Sequence, residues 1–255
     1  MKKLTALLVL ALALTLSLCI ASADTVAVTL SDEGTAAVTG VTVEGSVVTI
    51  TKPGDYVVSG TLSNGCLKVD STVTGKITVY LNGVNIHNET GSAILIGKCD
   101  PRCTISLMEG SVNELSSGDS LVYEKDDEPN AVIFSHSDLT IAGEGTLNIT
   151  AGPVDGIASK DDLRIKSGTI TVNVTRHGIR GKDCVEISGG KLSIVAGKDG
   201  IRSTNTKVND AGYITISGGE LQIVCGDEPL SAVTGINVEG GTIRCTIKKT
   251  AKEEK

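Results

Sequence analysis

Aspartate recurs at fixed intervals in the second half of the chain. Asp155, His177, Asp199 and Glu228 lie 22, 22 and 29 residues apart, each just ahead of a turn glycine or, at Glu228, of Pro229. Asp161, Asp183 and Asn205 form a second series at a step of 22, and Lys160 and Lys182 directly precede its first two members. Asp138 and Asp162 form a third series, and Arg180 and Arg202 a fourth. Side chains stacked at strand spacing sit about 4.8 Å apart, where two like charges repel by about 3.5 kcal/mol at an effective dielectric of about 20. A bound Ca²⁺ would turn that repulsion into ligation, because calcium takes several oxygens at flexible geometry and turn carbonyls complete its shell. Asp161, Asp162 and Asp183 are the expected centre of a calcium site, with Asp155 as a further ligand. Asp199 with Asn205 is the expected second site. The competing reading is turn chemistry, in which Asp satisfies backbone donors and Lys160 and Lys182 neutralise the stack.

These series exist because the chain repeats. The segments VDGIASKDDLRIKSGTITVNV and RHGIRGKDCVEISGGKLSIVA align with KDGIRSTN and, after an insertion, GYITISGGELQIVC. Gly156, Gly178 and Gly200 keep the step of 22 residues; Gly168 and Gly190 keep it too, and Gly219 follows after 29. The extra residues fall in the polar stretch TNTKVNDAG, which reads as a loop. Apolar residues hold the same register in five columns: Ile157, Ile179, Ile201, Leu230; Leu163, Val185, Ile214, Ile236; Ile165, Ile187, Ile216, Val238; Ile170, Leu192, Leu221, Ile243; and Val172, Ile194, Ile223, Cys245. Within each repeat they alternate with polar residues, which is strand period. Short strands at a fixed repeat predict a solenoid whose turns bury one another. The expected fold is all-β, a right-handed single-stranded parallel β-helix of about 22 residues per coil. The pattern loosens upstream, where Leu139 still aligns with Leu163. Residues 24–60 read as a strand-rich N-terminal cap, 61–248 as the β-helix, and 249–255 as a charged tail.

Residues 1–23 read as an export signal. Lys2 and Lys3 precede an apolar run, and Ala21-Ser22-Ala23 supplies a small-residue cleavage site. Export predicts an extracellular protein with no membrane span after cleavage. Removal of Lys2 and Lys3 takes the net charge from −7 to −9. So acidic a chain does not attract nucleic acid through its overall field. With four Tyr, one Phe and no Trp, the core must be aliphatic and flat stacking platforms for sugars are few. Cys99 and Cys103 flank a proline loop and are the expected disulfide pair, if any forms. Cys225 and Cys245 point inward on adjacent coils but are offset by two residues, about 8 Å between Cα atoms, which is too far for a disulfide. Both are expected as free, buried thiols, and Cys184 as an outward cysteine without an obvious partner.

The ordered motifs GDYVVSGTL, KITVYLNGVNI, SDLTIAGEGTLNI, DGIASKDDLRI, GIRGKDCVEISGG and KDGIRSTN resemble the bacterial secreted carbohydrate-binding domain-containing β-helix proteins. That resemblance implies a pectate-lyase-like fold and calcium-bearing binding of cellulose or polygalacturonate. It implies Asp155, Asp161, Asp162, Asp183 and Asp199 as calcium ligands. The sequence departs from the family pattern at His177, where Asp is usual, and at GDEPLSA, where a further DGI turn is expected.

The leading expectation is a calcium-dependent, non-catalytic binder of acidic polysaccharide such as polygalacturonate, monomeric, with cellulose harder to justify physically. Arg180, Arg202, Lys160 and Lys182 are the cations expected to meet sugar carboxylates. A calcium-dependent polysaccharide lyase would use Lys160, Lys182 or Arg180 as base, although Lys beside Asp reads more simply as a surface ion pair. A third alternative is a structural surface protein or adhesin that uses calcium for rigidity. The chain has no GxSxG elbow and no HExxH motif, and His87, His136 and His177 lack zinc spacing.

Overall fold

The computed structural model describes residues 25–120, 128–208 and 210–248. The expected signal (1–23) and charged tail (249–255) lie outside the described residues.

The chain opens with β1 (Val26–Leu30), the hairpin strands β2 (Val41–Glu44) and β3 (Val47–Ile50), and β4 (Gly54–Leu62). Then come β5 (Cys66–Asp70) and the long β6 (Ile77–Asn88). From there it runs in triplets. The first is β7 (Ile94–Lys98), β8 (Cys103–Leu107) and β9 (Val112–Ser117), and the second β10 (Ala131–Ser135), β11 (Leu139–Gly143) and β12 (Thr146–Ala151). The third is β13 (Asp155–Ser159), β14 (Asp162–Ile165) and β15 (Thr169–Val174), and the fourth β16 (Ile179–Gly181), β17 (Cys184–Ile187) and β18 (Lys191–Ala196). The fifth is β19 (Ile201–Ser203), β20 (Tyr213–Ile216) and β21 (Glu220–Cys225), and the last β22 (Leu230–Ser231), β23 (Gly235–Val238) and β24 (Thr242–Ile247).

Each triplet strand pairs in parallel with the third strand on in sequence, which makes three faces. The first face is the nine-stranded sheet β2-β3-β5-β7-β10-β13-β16-β19-β22. The second face runs from β8 to β23 and the third from β9 to β24. These two join as one sheet because β6 pairs with β8 along its first half and with β9 along its second.

The five apolar columns are in register: Ile157 pairs with Ile179, Leu163 with Val185, Ile165 with Ile187, Ile170 with Leu192, and Val172 with Ile194. All ten are at most 1% exposed, so each face contributes aliphatic side chains to one continuous core. The step of 22 holds from Ile157 to Ile179 to Ile201, and widens to 29 at Leu230. Upstream, Ile94 to Ile133 spans 39 residues and Ile133 to Ile157 spans 24. Two glycine columns explain the tight corners. A Cβ on Gly178 would lie 2.4 Å from Ile194 Cγ2 and 2.6 Å from the Gly200 carbonyl. Gly168, Gly190, Gly219 and Gly241 have φ of +103, +92, +94 and +86°, a conformation that favours glycine.

The N-terminal region differs from a separate cap over residues 24–60. β3 and β4 already pair in parallel with β5 and β6, and β4 runs past residue 60. The antiparallel element is the β2–β3 hairpin. The cysteines also need correction. Cys99 and Cys103 are thiols rather than a disulfide, and a mutual hydrogen bond draws the Cys99 pKa down while it and burial push Cys103 up. Cys225 pairs with Ile247, and Cys245 with Ile223, so the offset of two residues holds. Cys225 is buried, but Cys245 is exposed, because it sits on the terminal strand of its face. Cys184 has a partner: its thiol donates to Asp162 Oδ1 at 3.1 Å, and burial pushes its pKa up to about 12.

Candidate functional site

The series Asp155, His177, Asp199, Glu228 stands at the start of the first face and forms a ladder of acceptors. Asp155 Oδ1 accepts from the His177 N–H at 3.3 Å, His177 Nδ1 from the Asp199 N–H at 3.2 Å, and Asp199 Oδ1 from the Glu228 N–H at 3.1 Å. Each side chain thus satisfies a backbone donor one turn of the chain further on. That is why histidine serves where aspartate was expected: the position requires an acceptor, not a charge. Burial lowers the His177 pKa against the pull of Asp155 and Asp199, consistent with a neutral ring whose Nδ1 is free to accept.

The other aspartate oxygens are met by arginines. Asp155 is fully buried; its Oδ2 takes Arg180 Nε at 2.7 Å, and Arg176 Nε lies 3.5 Å from its Oδ1. Arg180 continues to Asn130 Oδ1 at 2.6 Å. Arg202 meets Asp199 Oδ2 at 2.9 Å. Lys160 forms an ion pair with Glu128. Arg180 and Arg202 are register partners, as the sequence predicts, but both are committed within the protein.

On the second face, Asp162 Oδ2 takes Arg164 Nη2 at 2.7 Å, while Glu186 takes Arg164 Nε at 2.6 Å and the Tyr213 hydroxyl at 3.0 Å. Burial opposes the Arg164 charge, but Glu186 and Asp162 outweigh it and raise the pKa. Asp162 therefore belongs to an ion-pair network rather than to the corner that holds Asp161. Asn205 Oδ1 accepts from the N–H groups of Lys207 and Val208, at 2.7 and 3.2 Å, which turns its amide nitrogen toward Asp183 Oδ1 at 2.6 Å. Asp161 is different. Its pKa is raised by burial and then by the repulsion of Asp183 and Asp138, only partly offset by Lys182. Among the described residues, no three His, Cys, Asp or Glu side chains converge closely enough to hold a metal ion.

A further concavity lies elsewhere. A groove of about 820 Å³ runs along the end of the third face, across successive turns of the chain. Its floor is an outward column in register, His87–Ser116–Thr150–Asn173–Val195. Lys248 adds a donor, Thr175, whose hydroxyl donates to the Gly152 carbonyl, adds an acceptor, and Ala151, Val174 and Ala196 add small apolar surfaces. The pattern arises from strand alternation, since Thr150 and Asn173 follow inward residues Ile149 and Val172. The charged series draw attention away from these residues. Their own signal, Ser, Thr and Asn at the outward positions of one strand per repeat, also fits an ordinary solvated face.

Residues 44–255 match the family described as "Carbohydrate-binding domain-containing protein". The chain belongs to that family. A relative of the same description from Acetivibrio thermocellus is 36% identical over 212 residues, covering 82% of this chain and 74% of that protein. A solved structure described as the polysaccharide lyase-like protein from C. thermocellum, gadolinium derivative, superposes with a TM-score of 0.75 at 33% identity, over 87% of this chain and 94% of that one.

Proposed function

We propose that this chain binds an extended, hydroxyl-rich polysaccharide along the third-face groove, without cleaving its backbone. The observation that carries the reading is the in-register polar column on the groove floor, one residue per turn. Its spacing, about 4.8 Å, is comparable to the rise per residue of an extended glycan. Thr150 and Asn173 supply donors and acceptors for sugar hydroxyls, and Ala151, Val174 and Ala196 face the sugar C–H surfaces. Scarcity of aromatics is no obstacle to this mode. The winding proposed for the whole stack is a right-handed parallel β-helix of the pectate-lyase-like kind. We further propose export after cleavage at Ala23, and action as a monomer.

A second reading is supported by the crowding of carboxylates around Asp161, which Lys182 offsets only in part. A calcium ion would be held there by Asp161 and Asp183 with turn carbonyls, and its chemistry would be to bridge them to the carboxylates of an acidic glycan. Asp155, Asp162 and Asp199 fit such a site poorly, because arginines occupy their oxygens. Lyase chemistry is disfavoured for a related reason. Lys160 and Arg180 are ion-paired with Glu128 and Asp155, which commits these two side chains within the protein.

The test is retention on cellulose, xylan and polygalacturonate, with and without chelator. Retention on a neutral polymer that survives chelator and falls about 5- to 10-fold in Asn173→Ala is the expected result, since one hydrogen bond contributes about 1 kcal/mol or slightly more. Chelator-sensitive retention on polygalacturonate, abolished in Asp161→Ala/Asp183→Ala, would favour the second reading. Unsaturated product from polygalacturonate would establish a lyase. Unchanged retention in Asn173→Ala would remove the groove from the account.

A further inference from the structure

We propose that Ser116, His87 and Glu89 form a hydrolytic triad at one end of the groove, acting on ester substituents of the bound polysaccharide. The polymeric substrate rests on the groove reading above. Ser116 Oγ is 2.9 Å from His87 Nδ1, and His87 Nε2 is 3.3 Å from Glu89 Oε2. His87 and Ser116 are register partners on β6 and β9 and both line the groove. One neutral tautomer satisfies both contacts: Nδ1 accepts from the serine hydroxyl and the Nε2–H donates to the carboxylate. That is the relation of nucleophile, base and orienting group, which is recognised by geometry rather than by sequence order.

The Glu89 backbone is anchored, while its carboxylate is half exposed. Its N–H donates to Asn64 Oδ1 at 3.1 Å. A Cβ on Gly118 would lie 2.4 Å from Glu89 Oε2 and 2.7 Å from the Glu89 carbonyl oxygen, so glycine at 118 leaves this carboxylate its position. Thr150 is the register partner of Ser116, and Asn173 that of Thr150. Their hydroxyl and amide are the donors at hand for charge developing on a carbonyl oxygen.

Ser116 Oγ adds to the carbonyl carbon of an O-acyl group, and its proton passes to His87 Nδ1. The bond from acyl carbon to sugar oxygen breaks, and the sugar oxygen takes that proton. Water, deprotonated by the same nitrogen, then adds to the acyl carbon, the bond from that carbon to Ser116 Oγ breaks, and Oγ takes the proton back from His87. One ester and one water give one sugar hydroxyl and one carboxylic acid, with no change of oxidation state. Ser116 and His87 are the catalytic residues; Glu89 is a positioning residue.

The full chain is tested on acetylated xylan and on para-nitrophenyl acetate, with acid release measured and circular dichroism used to check each variant. Release is expected to fall by roughly 10²- to 10⁴-fold in Ser116→Ala and His87→Ala. A fluorophosphonate is expected to add to Ser116 of the wild type and not of His87→Ala. Glu89→Gln and Gly118→Ala should lower kcat with KM held, a split that a merely structural role would not give. Polysaccharide retention with no acid from either ester and no adduct on Ser116 would overturn the triad and leave the groove reading standing. Loss of retention as well would overturn both. Cleavage of the soluble ester without polysaccharide retention would support the triad and overturn the groove as its polymer site. Hydrolysis undiminished in Ser116→Ala would also overturn the triad.

Discussion

Replacing Asp155 by alanine tests whether the stacked aspartates hold the protein together or hold a cation. Asp155 is fully buried, and the Arg180 side chain beside it is only 15% exposed. The substitution leaves the Arg180 guanidinium with the neutral Asn130 amide but no carboxylate, loosens Arg176 and removes the acceptor for the His177 N–H. Breaking a buried pair from one side costs about 3–5 kcal/mol, because the remaining charge stays out of water without a partner. For a domain of this size each kcal/mol moves Tm by about 2–4 °C, so a fall of roughly 6–20 °C is expected. Asp155→Asn keeps an acceptor for the backbone and loses only the charge, and should cost about half as much. Thermal and urea unfolding followed by circular dichroism, in chelator and in calcium, gives the measurement. The ladder account requires the same loss in both buffers. A loss below about 1 kcal/mol, or one that vanishes in chelator, would refute it and return Asp155 to the list of calcium ligands.

Acid should weaken the fold through His177. Burial holds its folded pKa below the unfolded value of 6.5, so the unfolded chain binds the proton more readily. Stability is therefore full above about pH 6.5 and falls as the pH drops toward the folded pKa. Urea midpoints from about pH 8 to about pH 5 should show this decline, and His177→Asn should flatten it; an equal slope in the variant would discount the ring as its source. Iodoacetamide should modify Cys245 in the native protein and reach Cys225 only after unfolding. A Cys225–Cys245 bridge in non-reducing peptide maps would contradict the register offset.

The core from the third triplet to the fifth was legible because alternation and a steady step reveal inward positions without any knowledge of side-chain contacts, whereas Ile236 and Val238 of the last triplet keep the register but are exposed. Before β10 the step swings to 39 residues and the columns could not be aligned by spacing. The polar series were read correctly as columns and less well as chemistry. Arg180 lies one turn beyond Asp155, and its reach back across that turn depends on a rotamer that spacing does not reveal. His177 looked like a defect because the expectation was for charge, whereas a hydrogen-bond acceptor was enough. The repulsion between Asp161 and Asp183 is visible in both sequence and structure. Neutral residues such as Thr150 and Asn173 carry no such mark, so the groove emerged only once the strands were laid side by side.

The widened turn between Ile201 and Leu230 has a consequence for how such a chain can change. Its extra residues enter between β19 and β20, yet Val185 still meets Ile214 and Leu192 still meets Leu221. A corner can therefore accept foreign sequence while the aliphatic interior keeps count. The molecule behaves as a rack with interchangeable shelves: a peptide grafted at residues 206–208 would be displayed at a defined height along the stack, and the groove on the far side of the repeat would not register its presence.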